Sequence, residues 1–135
     1  MHNTRKMGGF AAAFCALATV LVSGSASAGV KYTGSVYASS TGRYAGGGLG
    51  YARNTSNGTE YIGCSVSQYS GSVSIYCSAQ DSAGNYAGCT STDAAFVAAA
   101  RSLSTDEYMS FSYNASGTCT SLYVEHYSWN QPKVL

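Results

Sequence analysis

Cysteines spaced around two short turns restrict the fold of this chain more than any other sequence feature. In residues 60–90, apolar and polar side chains alternate with a period of two, as expected for β-strands with one buried face. A two-residue turn at Ser70-Gly71 places Cys64 opposite Cys77. A glycine turn in the next segment, DSAGN, places Cys77 opposite Cys89. The sequence therefore predicts three antiparallel strands, each with a cysteine on the same face.

The chain has five cysteines, of which Cys15 lies in residues 1–28, a predicted signal peptide that export removes. The other four predict two disulfides, since an even number of cysteines in a short exported chain indicates a disulfide framework. Cys77 has a cysteine on each side, so its partner is either Cys64 or Cys89, and Cys119 takes the one that remains. We favour the pairs Cys64–Cys77 and Cys89–Cys119. Neither a C-x-x-C motif nor zinc-ligand spacing occurs among them, so we expect no metal and no cofactor.

The first residues of the chain predict export. Arg5 and Lys6 precede an apolar run at 8–22, and the small residues Ala26-Ser27-Ala28 follow it. This order is typical of a secretory signal peptide, here spanning 1–28. The run has about 15 residues, fewer than the roughly 20 that span a bilayer, so we expect no membrane insertion. The expected location is secreted, either extracellular or periplasmic.

Residues 29–135 are predicted to form a single secreted β domain. We expect the first two strands at 31–38 and 48–54, with a bulge or bend at the glycine run 46–48. The predicted fold class is all-β: an antiparallel sandwich or open roll of about seven strands with one short helix, braced by disulfides.

The spacing of apolar residues predicts one helix followed by a last hairpin. Apolar residues recur at helical spacing in 93–103, after Thr92 as the N-cap. Strands are then expected at 108–113 and 119–127. The turn between them, at 114–117, has the same design as the DSAGN turn. This hairpin is expected to have two apolar faces, with Met109, Phe111 and Cys119 on one and Tyr108, Leu122 and Val124 on the other.

The segment from Tyr61 to Lys133 carries a resemblance. Its stretches YIGC, CSAQDSAGNYAGC, DEYMSFSYNASGTCTSLYV and PK resemble a group of small exported bacterial proteins of unknown function that share this order of cysteines, turns and final hairpin. The matching residues are cysteines, turn glycines and apolar residues. The resemblance therefore implies a fold and a bacterial source, and it implies no activity and no catalytic residue.

The chain offers little that indicates catalysis. His126 follows Glu125, but neighbours on a strand point to opposite faces, so the two form no direct acid–base dyad. Asp81 and Asn85 flank a glycine turn and resemble weak calcium ligands, although turn formation explains both residues without an ion. We therefore predict that the protein is not an enzyme and has no catalytic residues.

Tyrosine is the residue type that most suggests a function. The chain has twelve tyrosines, four phenylalanines and one tryptophan, whereas a core is normally built from Phe, Leu and Ile. Tyrosine suits a surface that is both apolar and hydrogen-bonding. The predicted binding residues are Tyr69, Tyr76, Tyr37 and Tyr51, with Tyr44 and Tyr61 also on or beside strands.

The charge balance narrows the class of partner. Without residues 1–28 the chain would carry five basic and six acidic side chains, which offers no basic patch for nucleic acid. We therefore expect an extracellular or periplasmic binding module for a glycan or a surface protein. The alternatives are a structural subunit of a cell-surface layer or fibre, which would self-associate, and thirdly a small secreted inhibitor or effector.

Overall fold

The computed structural model describes residues 29–134, which form a sandwich of two antiparallel sheets. The predicted signal peptide lies outside the described residues. One sheet has four strands in the order β1-β2-β6-β7 and the other has three in the order β3-β4-β5. The elements in chain order are β1 (Tyr37–Ser39), β2 (Tyr44–Gly48), α1 (Leu49–Asn54), β3 (Tyr61–Tyr69), β4 (Ser72–Gln80), β5 (Tyr86–Ser91), α2 (Ala94–Ser102), β6 (Tyr108–Tyr113) and β7 (Cys119–Glu125). The predicted all-β fold class is confirmed.

The core lies between the two sheets and consists mainly of small side chains. Its fully buried members include Ala45, Ala79, Ala87, Ile75, Met109 and Phe111. Helix α2 packs against β7 of one sheet and against β3 and β4 of the other, where it buries Val97 and Ala100. Because alanines let the sheets approach closely, most of the large aromatic side chains remain outside the core.

The cysteine hairpins form as the sequence predicts. Cys64 lies opposite Cys77, and Cys77 lies opposite Cys89. The disulfides are Cys64–Cys77 and Cys89–Cys119, which confirms the favoured pairing. The Cα atoms of Cys64 and Cys77 are 4.0 Å apart, as in the closer, non-hydrogen-bonded class of cross-strand pairs. The backbone N–H and C=O of Cys77 then face β5, so the pair with Cys89 belongs to the wider class.

The turn between β4 and β5 and the turn between β6 and β7 share one design. Asp81 Oδ1 accepts hydrogen bonds from the backbone N–H groups of Ala83 and Asn85, and Gly84 adopts a φ of 85°. Asn114 Oδ1 accepts in the same way from the N–H groups two and four residues later, and the glycine of that turn has a φ of 77°. Both side chains therefore act as turn formers.

The predicted faces of the last hairpin are partly wrong. The inner face comprises Met109, Phe111, Cys119, Leu122 and Val124. The predicted register had placed Leu122 and Val124 on the opposite face, together with Tyr108. A register shift between Ser112 and Tyr113 absorbs one residue, and a shift of one residue exchanges the two faces of a strand. The outer face carries tyrosine and serine, so only one face of the hairpin is apolar.

Helix α1 replaces the strand predicted at 48–54. It has no side-chain N-cap, and contacts distant in sequence hold it in place. The N–H of Leu49 donates to the carbonyl of Glu107, and Asn54 makes two hydrogen bonds to the C-terminal segment, with the carbonyl of Pro132 and the N–H of Val134. These contacts fix six residues as a helix although their sequence alternates like a strand.

The strand predicted at 31–38 is mostly irregular, and only Tyr37–Ser39 forms a strand in this region. The glycine run 46–48 also departs from the prediction, because it continues regularly in β2 without a bulge. A Cβ on Gly47 would lie 2.9 Å from the Cα of Val36. Glycine is therefore needed there for close approach of another backbone segment.

The N-cap of α2 also differs by one residue from the prediction. The carboxylate of Asp93 accepts hydrogen bonds from the N–H groups of Ala95 and Phe96, so Asp93 and not Thr92 caps the helix. The predicted apolar stripe of the helix does face the core. None of the helices in residues 29–134 is long and apolar enough to cross a membrane.

Candidate functional site

The outer faces of both sheets are covered with tyrosine, serine and glycine. Because side chains alternate along a strand, the residues between the core positions point away from the sandwich. We call the outer face of the four-stranded sheet the tyrosine face. Its tyrosines are Tyr37, Tyr44, Tyr108 and Tyr123, and between them lie Gly46, Gly48, Ser110, Ser112 and Ser121.

One arrangement at the centre of the tyrosine face explains how its aromatic rings are held. Gly46 lies opposite Ser110, and Tyr44 and Tyr108 reach towards each other from opposite directions over this pair. A Cβ on Gly46 would lie 2.6 Å from the hydroxyl of Tyr108 and 2.8 Å from that of Tyr44. Burial and the hydrogen bond with Tyr44 raise the pKa of Tyr108. We call this pair of tyrosines the first tyrosine bridge.

The three-stranded sheet repeats the arrangement. Gly88 lies opposite Ser78, and the hydroxyls of Tyr76 and Tyr86 are hydrogen-bonded to each other over the glycine. That hydrogen bond and burial raise the pKa of Tyr86 to about 12. This second tyrosine bridge uses the same tripeptide as the first, Tyr-Ala-Gly, whose alanine is fully buried in both sheets.

Aromatic contacts are found at both edges of the tyrosine face, at β1 and beyond β7. Tyr37 lies next to Tyr44 with ring centroids 6.3 Å apart, and 58% of its surface is exposed. Beyond β7, the rings of Tyr127 and Trp129 are stacked with centroids 4.2 Å apart. Trp129 Nε1 donates to a carboxylate oxygen of Glu125, which lies on the outer face of β7. Aromatic side chains therefore extend from β1 across the sheet to the segment after β7.

A cleft lies where this aromatic surface meets the irregular N-terminal segment. Its volume is about 420 Å³, and it is lined by Val30, Tyr32, Tyr108, Glu125 and Trp129. Tyr32 meets Tyr108 edge to face, with centroids 6.2 Å apart and an interplanar angle of 70°. The N–H of Tyr32 donates to the carbonyl of Trp129, which fixes the two sides of the cleft relative to each other.

The four tyrosines predicted to bind a ligand lie on three different surfaces. Tyr37 belongs to the tyrosine face. Tyr76 lies on the outer face of the three-stranded sheet, and Tyr69 ends β3 on the same face, where 74% of its surface is exposed. Tyr51 is half-buried on α1 and not on a strand. The structure therefore does not bring these four residues together.

Sequence reasoning missed the residues that complete the tyrosine face. Tyr108, Tyr123 and Glu125 were not identified as site residues, because the faces of the last hairpin were wrongly predicted. Trp129 was expected in a loop after the sheet and was not identified either. The repeated tripeptide Tyr-Ala-Gly at 44–46 and 86–88 was an available signal for the two bridges. Nothing local indicates that each repeat lies against a Tyr-x-Ser segment of a neighbouring strand.

The only histidine in the described residues pairs with a carboxylate far away in sequence. His126 Nδ1 lies 2.6 Å from Glu107 Oε1, while Glu125 contacts Tyr123 and Trp129. Burial raises the pKa of Glu107, but hydrogen bonds from the N–H and hydroxyl of Ser104 and from His126 outweigh it and leave the pKa lowered. Among residues 29–134, no three or more His, Cys, Asp or Glu side chains cluster as metal ligands would.

The residues considered as weak calcium ligands are engaged within their own turn. Both carboxylate oxygens of Asp81 accept hydrogen bonds from N–H groups, one of them from the Asn85 side chain. This side-chain bond is the main reason that the pKa of Asp81 is lowered.

No protein-family model, curated protein or solved structure matches this chain.

Proposed function

We propose that this protein is an exported, non-enzymatic binding module whose tyrosine face binds a glycan. The observation that carries the proposal is the continuous aromatic surface from Tyr37 to Trp129, in which rings alternate with glycine and serine. Among the strand residues that the structure describes on this face, none is lysine or arginine.

The composition of the tyrosine face fits a sugar better than it fits an apolar ligand. A sugar ring has an apolar face of C–H groups and a rim of hydroxyls, and tyrosine offers a flat apolar ring with a hydrogen-bonding hydroxyl. The glycine under the first tyrosine bridge lets the two rings lie over the strands, which keeps the surface flat. The hydroxyls of both tyrosines lie close together over Gly46, and rings packed in this way lose little freedom when a ligand binds.

Export is part of the same proposal. Two disulfides fit an oxidising environment, such as the cell exterior or the periplasm. The signal-peptide pattern in residues 1–28 and the resemblance to small exported bacterial proteins support the same location and a bacterial source. The absence of enzymatic activity remains a prediction from the sequence.

A glycan array with the oxidised chain 29–135 tests the proposal, and each hit is titrated with salt. We expect binding to defined neutral sugars that salt leaves unchanged, because stacking involves no ion pair. The double variant Tyr37→Ala/Tyr123→Ala should lose at least about 10-fold in affinity, as removal of two aromatic contacts predicts. The matched control is Tyr61→Ala/Tyr69→Ala on the other sheet, which should bind like the wild type. An array without hits, or equal losses in both variants, would contradict the proposal.

One observation favours self-assembly as a second candidate function. Strand β3 is an edge strand of nine residues, YIGCSVSQY, with no charged residue and no proline, and in the described residues it pairs with β4 alone. Long uncharged edges pair with other chains. The substitution Ser65→Lys places a charge on this edge and should abolish any association of the wild type in concentration-dependent size-exclusion chromatography. A wild type that stays monomeric at high concentration would exclude this candidate.

A further inference from the structure

The cleft beside the tyrosine face holds a carboxylate that lacks a cationic partner. In the described residues the one salt bridge joins His126 to Glu107, and Glu125 takes part in none. Glu125 accepts one hydrogen bond on each oxygen, from Tyr123 and from Trp129, at 2.9 and 2.8 Å. A carboxylate offers about four acceptor positions, so this half-buried group can accept further hydrogen bonds from a ligand.

The walls of the cleft are the faces and edges of aromatic rings. Tyr32, Tyr108 and Trp129 line the cleft together with Glu125 and Val30, and Trp129 contacts the carboxylate directly through Nε1. Each ring has an aromatic neighbour: Tyr127 stacks on Trp129, and Tyr32 contacts Tyr108 edge to face. The hydroxyl of Tyr108 also lies beside that of Tyr44 over Gly46. Aromatic faces attract cations through the ring quadrupole, more strongly where water is partly excluded.

We propose that this cleft binds an organic ammonium group, with the ammonium contacting Glu125 and its carbon substituents packed against Tyr32, Tyr108 and Trp129. Negative charge without a partner and three aromatic walls together favour a cation that also has apolar surface. A volume of about 420 Å³ admits a compact ligand or one residue of a larger one. The proposal goes beyond glycan binding, since it assigns an adjoining charged site with a different ligand chemistry, which shares Tyr108 and Trp129 with the aromatic surface.

The ammonium group has two sources that the test separates. Glucosamine carries a primary ammonium on a sugar ring, and choline carries a quaternary ammonium. Each has a neutral counterpart of similar shape: N-acetylglucosamine for the first and 3,3-dimethyl-1-butanol for the second. Trp129 is the only tryptophan of the chain and lines the cleft, so its fluorescence reports binding directly.

Fluorescence titration of the oxidised protein with these four compounds is the test. We expect saturable binding of glucosamine, choline or both, with affinity at least about 10-fold above that of the neutral counterpart. Binding of glucosamine alone identifies an amino sugar as the ligand class, and binding of choline alone identifies a quaternary ammonium. Equal binding of a charged compound and its neutral counterpart, or no saturable change with either ammonium, overturns the proposal.

Two variants connect the binding to the cleft. Glu125→Gln keeps the size of the side chain but removes its charge and one of its two acceptor oxygens, and it should lower ammonium affinity about 10-fold. Glu60→Gln is the matched control: it removes the same charge outside the cleft and retains an oxygen for the N–H of Val36. Equal affinities of the wild type and Glu125→Gln contradict the proposal.

A third variant keeps the test valid if Glu125→Gln folds poorly. Tyr32 is 53% exposed, so Tyr32→Ala removes one wall with little loss of core packing and should also weaken ammonium binding. Near-ultraviolet circular dichroism verifies that each variant is folded. Failure of ammonium binding leaves the glycan proposal standing, because that proposal depends on neutral sugars and on Tyr37 and Tyr123.

Discussion

Two glycines show how one added methyl group has opposite consequences at different positions. A Cβ on Gly50 would overlap the carbonyl oxygen of Gln131, which belongs to the backbone and cannot turn aside. At Gly63 in β3, nothing lies within 4 Å of the added atom. We expect Gly50→Ala to lower the free energy of unfolding by about 1–3 kcal/mol. Gly63→Ala should leave it unchanged or raise it by about 0.5 kcal/mol, since it restricts the unfolded chain.

Urea denaturation of both glycine variants measures these effects. Equal stabilities of the two variants would show that the C-terminal segment does not lie against α1 as described.

The lowered pKa of Glu107 should make the free energy of unfolding depend on pH. Because its pKa is lower in the folded protein than in the unfolded chain, its stabilisation is complete above the unfolded pKa of about 4.3 and is lost as the pH falls through the folded value. At pH 7 we expect Glu107→Gln to be less stable than the wild type by about 1–2 kcal/mol, as for the loss of hydrogen bonds to a charged group. Urea unfolding at several pH values should show this difference shrink below pH 4. A difference that stays constant with pH would contradict the assignment.

The hydrogen bond of the second tyrosine bridge is testable through the ionisation of Tyr86. A Cβ on Gly88 would lie 2.5 Å from the hydroxyl of Tyr86 and would displace it. Gly88→Ala should therefore lower the pKa of Tyr86 from about 12 towards the ordinary value of about 10, because the bond to Tyr76 contributes most to the shift. Absorbance titration of the tyrosinates should show one additional group ionising near pH 10. An unchanged titration curve would mean that the bridge does not depend on the glycine.

At the scale of elements, the two disulfides make different contributions. Cys64–Cys77 joins neighbouring strands of one sheet across 13 residues, whereas Cys89–Cys119 joins the two sheets across 30 residues. Loop-closure entropy predicts that replacing the first pair by alanine costs about 3 kcal/mol and the second about 3.5 kcal/mol. Removal of Cys89–Cys119 should also increase hydrogen exchange in β7, because the disulfide that joins the two sheets is gone. A larger loss from the first pair would contradict this order.

The elements that the sequence predicts correctly are those specified by neighbouring residues. Period-two alternation and glycine turns are local signals, and they suffice for β3, β4 and β5 and for the stripe of α2. Helix α1 depends on Glu107, Pro132 and Val134, which are far away along the chain, and the bulge at 112–113 depends on how β6 and β7 pair. The same limit applies to the tyrosine face: its tyrosines are visible in the sequence, but the register that assembles them is not.

At the scale of the whole molecule, the sandwich has an aromatic outer face on each side, and the two faces differ in what surrounds them. Both contain a tyrosine bridge over a glycine. Within residues 29–134, only the tyrosine face continues into Trp129 and a cleft with a carboxylate. The three-stranded sheet instead ends at Tyr69, the most exposed tyrosine of the described residues. The tyrosine bridge therefore occurs in both sheets, whereas the binding function that we propose belongs to the tyrosine face alone.

Matched glycine variants separate these roles. Gly46→Ala and Gly88→Ala each place a Cβ under hydroxyls at the ends of flexible side chains, so both proteins should fold. Gly46→Ala displaces Tyr44 and Tyr108 and should weaken glycan binding about 10-fold, as the loss of preorganised rings predicts. Gly88→Ala disturbs only the opposite sheet and should bind like the wild type. Array titrations of both variants provide the measurement, and equal losses would mean that the ligand contacts both sides of the sandwich.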